Sequence, residues 1–139
     1  MSRKADIELI NKVEIDFPND YHAQRKEFKK LIEIGEKERN QYLVGAAYYH
    51  LSYIDYCVGD NANLLLNALK AVALLEKLDD YDLTSRALIN LSYGYGEHGD
   101  NQMSLVVIEK AYDIIKKHHL NINNKIIALN NQATCYHYQ

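Results

Sequence analysis

A chain of 139 residues with a net charge of −3 and a pI near 6.0 fits one domain. It lacks the clustered Lys and Arg that phosphate backbones require, which excludes nucleic acid as an expected partner. Hydrophobic residues make up 47%, enough for a packed core, while one Pro and six Gly leave few breakers.

Apolar spacing is helical almost throughout. Ile7, Ile10, Val13 and Phe17 form the stripe of a first helix, which Pro18-Asn19-Asp20 breaks. A second helix is predicted from about Tyr21 to Glu38, with Tyr21, Phe28, Leu31 and Ile32 inward. The third covers about Gln41 to Val58 and stops at Gly59, since a helix C-terminus often needs a left-handed residue. Asp60 and Asn61 are placed to cap a fourth helix, Ala62 to Leu78. A fifth runs from about Asp82 to His98, and Gly99-Asp100-Asn101 leads into a sixth, Gln102 to His119. A seventh starts near Asn123. The β-branched run Leu105-Val106-Val107-Ile108 suits a strand by itself, but it aligns with Leu65 to Ala68 and is read as helix.

That alignment belongs to a repeat. Leu51-Ser52-Tyr53 recurs 40 residues later as Leu91-Ser92-Tyr93, Gly59-Asp60-Asn61 as Gly99-Asp100-Asn101, Glu36-Lys37 as Glu76-Lys77, and Ala47 as Ala87. A fixed period of this length marks stacked helical hairpins, so the expected fold class is all-α: an α-α superhelix of about seven antiparallel helices. The expected divisions are a degenerate hairpin at 1–38, a first repeat at 40–78, a second at 80–119, and the first helix of a third at 121–139. Asn131-Gln132-Ala133 and Tyr136 open that third repeat. The chain ends at Gln139 where the pattern calls for its turn Gly, so further protein is expected to follow.

The second repeat, Asn90-Leu91-Ser92-Tyr93-Gly94-Tyr95 followed by Gly99-Asp100 and Ala111, resembles the tetratricopeptide repeat (TPR). Ser92 stands for the usual Gly. In the first repeat His50 replaces the Asn and Asp55 the Tyr; in the third, Gln132 replaces the Leu. The unit exceeds the usual repeat of about 34 residues, by nearly one turn per helix at 1.5 Å per residue. Long-helix TPRs of this type are similar to those N-terminal to GGDEF (diguanylate cyclase) output domains in bacterial signalling proteins. They are also similar to stand-alone peptide-pheromone-binding regulators. The Asn-, Ile-, Lys- and Tyr-rich composition fits an AT-rich bacterium.

The resemblance implies a protein- or peptide-interaction module with regulatory function. The first helix of each hairpin would line a concave groove, which gives Tyr49, His50, Tyr53 and Tyr56 from the first repeat and Arg86, Ile89, Asn90, Tyr93 and Glu97 from the second. The third contributes Asn130, Asn131, Thr134 and His137. In peptide-binding members the Asn at the position of Asn90 and Asn131 bonds the ligand backbone, since an amide both donates and accepts. Twelve Tyr against two Phe and no Trp favour a wet recognition surface. Ala46, Tyr49 and Tyr53 stand where a carboxylate clamp would need Lys, so an acidic C-terminal tail is not the expected ligand. Small residues at Ala47, Ala87, Ala128, Ser52, Ser92, Ala133, Ala71 and Ala111 are assigned to close helix packing, and Leu51 and Leu91 to the seams.

Catalytic chemistry is not expected. Adjacent His118-His119 point about 100° apart on a helix and suit its C-terminus. Cys135 and His137 are likewise a poor helical pair for one metal. No HExxH, CxxC, P-loop or dinucleotide fingerprint is present. Gly94-Tyr95-Gly96 falls inside a helix by the repeat, where each Gly costs about 1 kcal/mol relative to Ala and leaves room for a ligand or a neighbouring helix. No cofactor or metal is therefore assigned.

Two expectations concern surroundings. Cys57 and Cys135 form no disulfide framework, Met1 to Lys12 carries charges instead of an apolar leader, and no apolar run reaches bilayer length, which points to the cytoplasm without membrane contact. Ile126, Ile127 and Leu129 would expose an apolar edge on the last helix, a candidate homodimer or scaffold contact.

Overall fold

The computed structural model describes residues 3–120, and these form six helices and no strand. They are α1 (Arg3–Asp16), α2 (Tyr21–Lys37), α3 (Gln41–Val58), α4 (Asn61–Leu75), α5 (Tyr81–Glu97) and α6 (Asn101–Lys117). The expected seventh helix lies outside the described residues, as do Asn130, Asn131, Thr134, His137 and the apolar edge at Ile126, Ile127 and Leu129.

A capping residue recurs at every twentieth position. Asp20, Asn40, Asp60, Asp80 and Asp100 each precede a helix, and the side-chain oxygen of each accepts the backbone N–H three residues on, at 3.0 to 3.2 Å. The 40-residue period is therefore two helix-and-turn units of similar length. Asn40, Asp60 and Asp100 also close the preceding helix: their own N–H groups bond Gly35, Asp55 and Tyr95 carbonyls at 2.8–2.9 Å. The residue before each, Arg39, Gly59 or Gly99, takes a left-handed backbone with φ of 56°, 79° and 82°. One left-handed residue and one Asx side chain thus turn the chain through each of these corners. The α4 end differs: α4 stops at Leu75 with Glu76 as its cap, three residues short of the predicted Leu78.

Successive helices from α2 to α6 pack antiparallel. The backbones of the odd helices also approach one another, α1 to α3 and α3 to α5, whereas those of α2, α4 and α6 do not, and Lys110 of α6 reaches Glu76 at the end of α4 only through its long side chain. The chain thus forms two layers of unequal closeness, an all-α helical repeat with its odd helices on the inner, concave side. Close approach depends on small residues: Ala47, Ala71, Ala87, Ala111, Ser52 and Ser92 are fully buried, and Leu51 and Leu91 fill the seams. Ser92 and Ser104 exchange hydrogen bonds between α5 and α6, so these buried hydroxyls have partners. At Gly94 an added Cβ would lie 2.8 Å from Leu64 Cδ2 and 3.2 Å from Leu65 Cα, which shows that its room is taken by α4.

The core holds one ion pair that the repeat does not foretell. Asp55, on α3, is fully buried. It accepts a 2.7 Å bond from Arg25 Nη1 on α2 and another from Asn67 Nδ2 on α4. Forty residues on, the equivalent position is Tyr95. A buried carboxylate needs such partners to offset its lost hydration, so this position ties three helices polarly where the next repeat uses an aromatic ring.

Candidate binding groove

The inner side carries a cavity of about 530 Å³ with α3 as floor and α1 and α5 as walls. Ala46, Tyr42, Tyr49, His50 and Tyr53 come from the floor, Ile7, Ile10, Asn11 and Glu14 from α1, and Asp82, Leu83 and Arg86 from α5, with Asp80 at the turn before it. Side chains three or four apart share a helix face, so Asn11 and Glu14 of α1 and Tyr42, Ala46, Tyr49 and Tyr53 of α3 face one space. A second cavity of about 270 Å³ adjoins it near Tyr21, Gln24 and Phe28, and Glu14, His50 and Tyr53 line both.

Polar contacts hold the rings in position. The Tyr42 hydroxyl donates to Asp80 Oδ2 at 2.6 Å, while Asp80 Oδ1 caps α5. Burial, reinforced by that bond, pushes the Tyr42 phenol well above the ordinary tyrosine range. Arg3 of α1 lies over the same ring, 4.6 Å from its centroid, and pairs with Asp79. Asn40 Nδ2 donates to the buried Asp6 at 2.9 Å, a second link from α1 to the corner before α3. His50 Nδ1 lies 3.1 Å from Glu14 Oε1 and its ring stacks on Phe28 at 5.1 Å. The His50 hydrogen bond draws the Glu14 carboxyl below the usual range. Burial raises the Tyr49 phenol, whose hydroxyl meets Arg86. Burial also works against the Arg86 charge, yet the hydrogen bond to Asp82 leaves that guanidinium with a raised pKa.

Of the residues proposed from sequence, Tyr49, His50, Tyr53 and Arg86 converge on this cavity. Tyr56 and Tyr93 lie apart from it, edge to face with ring centroids 5.0 Å apart. Glu97, near Tyr93, accepts from Asn61 Nδ2 at 3.4 Å. Asn90 Nδ2 donates to Ser52 Oγ at 3.0 Å, and Ser52 in turn donates to the Tyr49 carbonyl. The Asn90 amide nitrogen is thus engaged in joining α5 to α3, and Ile89, 6% exposed, belongs to the core instead of the open face. Sequence reasoning missed the whole α1 wall, along with Tyr42, Asp80 and Asp82. The sequence makes α1 the first helix of a degenerate hairpin at 1–38, but groove residues were drawn only from the later hairpins; the same rule applied to α1 gives Ile7, Asn11 and Glu14 at helical spacing.

Among the described residues no three His, Cys, Asp or Glu side chains converge to hold a metal ion, and no helix is long and apolar enough to cross a membrane. Neither a protein-family model nor a curated protein matches this chain.

Proposed function

We propose that this chain is a peptide- or protein-segment-binding module of tetratricopeptide type, with the groove between α1, α3 and α5 as its binding site. The observation that carries this reading is the cavity itself. It is large enough for several side chains of an extended segment, and its tyrosines combine broad apolar faces with polar tips. Its donors and acceptors, Asn11, Glu14, His50 and Arg86, suit a backbone as well as side chains. The helical repeat and the small residues at its seams support the family resemblance. Within that resemblance the module serves a bacterial signalling protein, with a diguanylate cyclase as the specific proposal, and groove occupancy alters superhelix curvature.

The test is selection of short peptides from a displayed library on the immobilised protein, followed by calorimetry with the enriched sequence. Tyr53→Ala and Arg86→Ala are each expected to weaken binding by about 1–2 kcal/mol, whereas Leu66→Ala, on the exposed side of α4, leaves it unchanged. Equal affinity for all three variants and the parent would remove the groove assignment.

A further inference from the structure

Two arginines of the chain already sit beside a groove tyrosine and a carboxylate: Arg86 lines the groove, and Arg3 lies at its edge over the ring of Tyr42. Arg3 lies over the Tyr42 ring and pairs with Asp79, and Asp80 adds a carboxylate beside that seat while fixing Tyr42 through its hydroxyl. Arg86 pairs with Asp82 and meets the Tyr49 hydroxyl. A tyrosine beside a carboxylate suits a guanidinium well, because the ring quadrupole attracts the cation while the carboxylate accepts its N–H groups.

These two arginines leave acidic charge uncompensated. Glu14, Asp80 and Asp82 line the groove and Asp79 adjoins it, four carboxylates against two guanidiniums and the His50 imidazole that faces Glu14. The resident cations also differ in how firmly they are held. Arg86 springs from the middle of α5, and its partner Asp82 lies one turn earlier on the same helix. Arg3 opens α1, its side chain is 40% exposed, and its partner Asp79 is 74% exposed. An ion pair that open to water is weak and screened by salt, so another guanidinium can replace Arg3.

We propose that Tyr42, Asp79 and Asp80 form a guanidinium subsite of the groove, which receives an arginine side chain of a bound peptide segment and is occupied by Arg3 in the free protein. The inference rests on the reading of the groove as a peptide site and names its ligand class: a basic segment with an arginine near the α4–α5 corner. Binding exchanges one guanidinium for another and releases the first turn of α1. An acidic segment is repelled, since its carboxylates would face Glu14 and Asp80. Lysine binds more weakly than arginine because its ammonium lacks the planar fork.

The experiment is an NMR titration of the whole 139-residue chain with a blocked Ala-Arg-Ala tripeptide and its uncharged citrulline counterpart. Parent, Arg3→Ala and Arg3→Ala/Asp79→Asn proteins are compared; both positions are exposed enough for the variants to fold. Emptying the seat by Arg3→Ala is expected to tighten the arginine peptide about three- to thirty-fold, the worth of an exposed ion pair plus a cation–π contact. The amide shifts should centre on Tyr42, Asp79 and Asp80, and the added Asp79→Asn should reverse the gain. Equal affinity of parent and Arg3→Ala for the arginine peptide overturns the proposal, and so does equal binding of the citrulline peptide. If either peptide shifts Tyr49, Tyr53 and Arg86 without charge preference, the groove reading stands and only the guanidinium subsite falls. If no groove amide moves with either peptide in any variant, both readings fall.

Discussion

Arg39 and Gly59 occupy equivalent corners with the same backbone hand, yet only one of them is glycine. Both precede an Asx cap, and both follow a helix whose end is closed by a bond to that cap's N–H. For an L-residue the left-handed region costs roughly 1–2 kcal/mol, and glycine avoids that cost while losing more freedom on folding. Arg39→Gly is therefore expected to raise stability by about 0.5–1 kcal/mol, and Gly59→Ala to lower it by about 1–2 kcal/mol. No atom lies within 4 Å of a Cβ built on Gly59, so the second change isolates the backbone term. Urea denaturation of both variants checks this, and a shift of the same sign in the two would contradict it. Gly59 was readable from sequence because glycine advertises its conformation; Arg39 was not, because only the φ of the folded chain reveals its hand. The same holds for Asp55. Its substitution for a tyrosine is visible in the alignment, but its partners Arg25 and Asn67 become neighbours only when α2 and α4 pack on either side of α3.

Helix α5 contains two interior glycines with opposite meanings. Gly94 is buried, and an added methyl there would press on Leu64 and on the Leu65 backbone. Overpacking of this kind costs about 1–3 kcal/mol, more than the roughly 1 kcal/mol that Ala gains over Gly in a helix. At Gly96 the nearest atom to an added Cβ is Ser104 Oγ at 3.4 Å, an ordinary contact. Gly94→Ala is thus expected to destabilise by about 0.5–2 kcal/mol, whereas Gly96→Ala is expected to stabilise by about 0.5–1 kcal/mol. Thermal unfolding of the two single variants separates the effects, and stabilisation by Gly94→Ala would show that α4 and α5 are less closely apposed. The repeat placed both glycines in a helix, but which one touches a neighbour depends on the α4–α5 crossing, which no local pattern encodes. Helix ends were more legible. Apolar spacing and the stop at Gly59 located α3 to the residue, whereas the predicted end of α4 overshot by three residues because Glu76-Lys77-Leu78 keep a helical composition after the chain has turned.

Across the whole molecule, tyrosine ionisation makes stability depend on alkaline pH. The phenols of Tyr42, Tyr49 and Tyr93 are raised chiefly by burial, that of Tyr53 by the neighbouring Cys57, and that of Tyr21 by its hydrogen bond to Cys57. An unfolded tyrosine ionises near pH 10. A folded pKa above that value means the neutral form is favoured in the native state. The resulting stability is complete below about pH 10 and is lost as pH rises from there through the folded values. Denaturant midpoints are therefore expected to fall steeply above about pH 10, and Tyr42→Phe should blunt the fall. Tyrosinate absorbance that develops near pH 10 in the folded protein, with no loss of stability, would count against this account. The tyrosine bias is plain from composition, but which rings are buried follows from the inward placement of α3.

The sequence by itself determined the helices, their period and the small residues at their seams, because caps, breakers and apolar spacing act over a few residues and leave a local imprint. It also marked the inner face of α3 and α5 closely enough to find Tyr49, His50, Tyr53 and Arg86. Only the tertiary structure decided that α1 forms a wall of the groove, and that Arg3 meets both Tyr42 and, 76 residues along the chain, Asp79. It also showed that Asn90 bonds Ser52. The reason is physical: contacts between helices depend on crossing angle and curvature, which arise from the packing of many side chains at once. A charged residue on an exposed turn carries no sign of the partner that folding will bring to it.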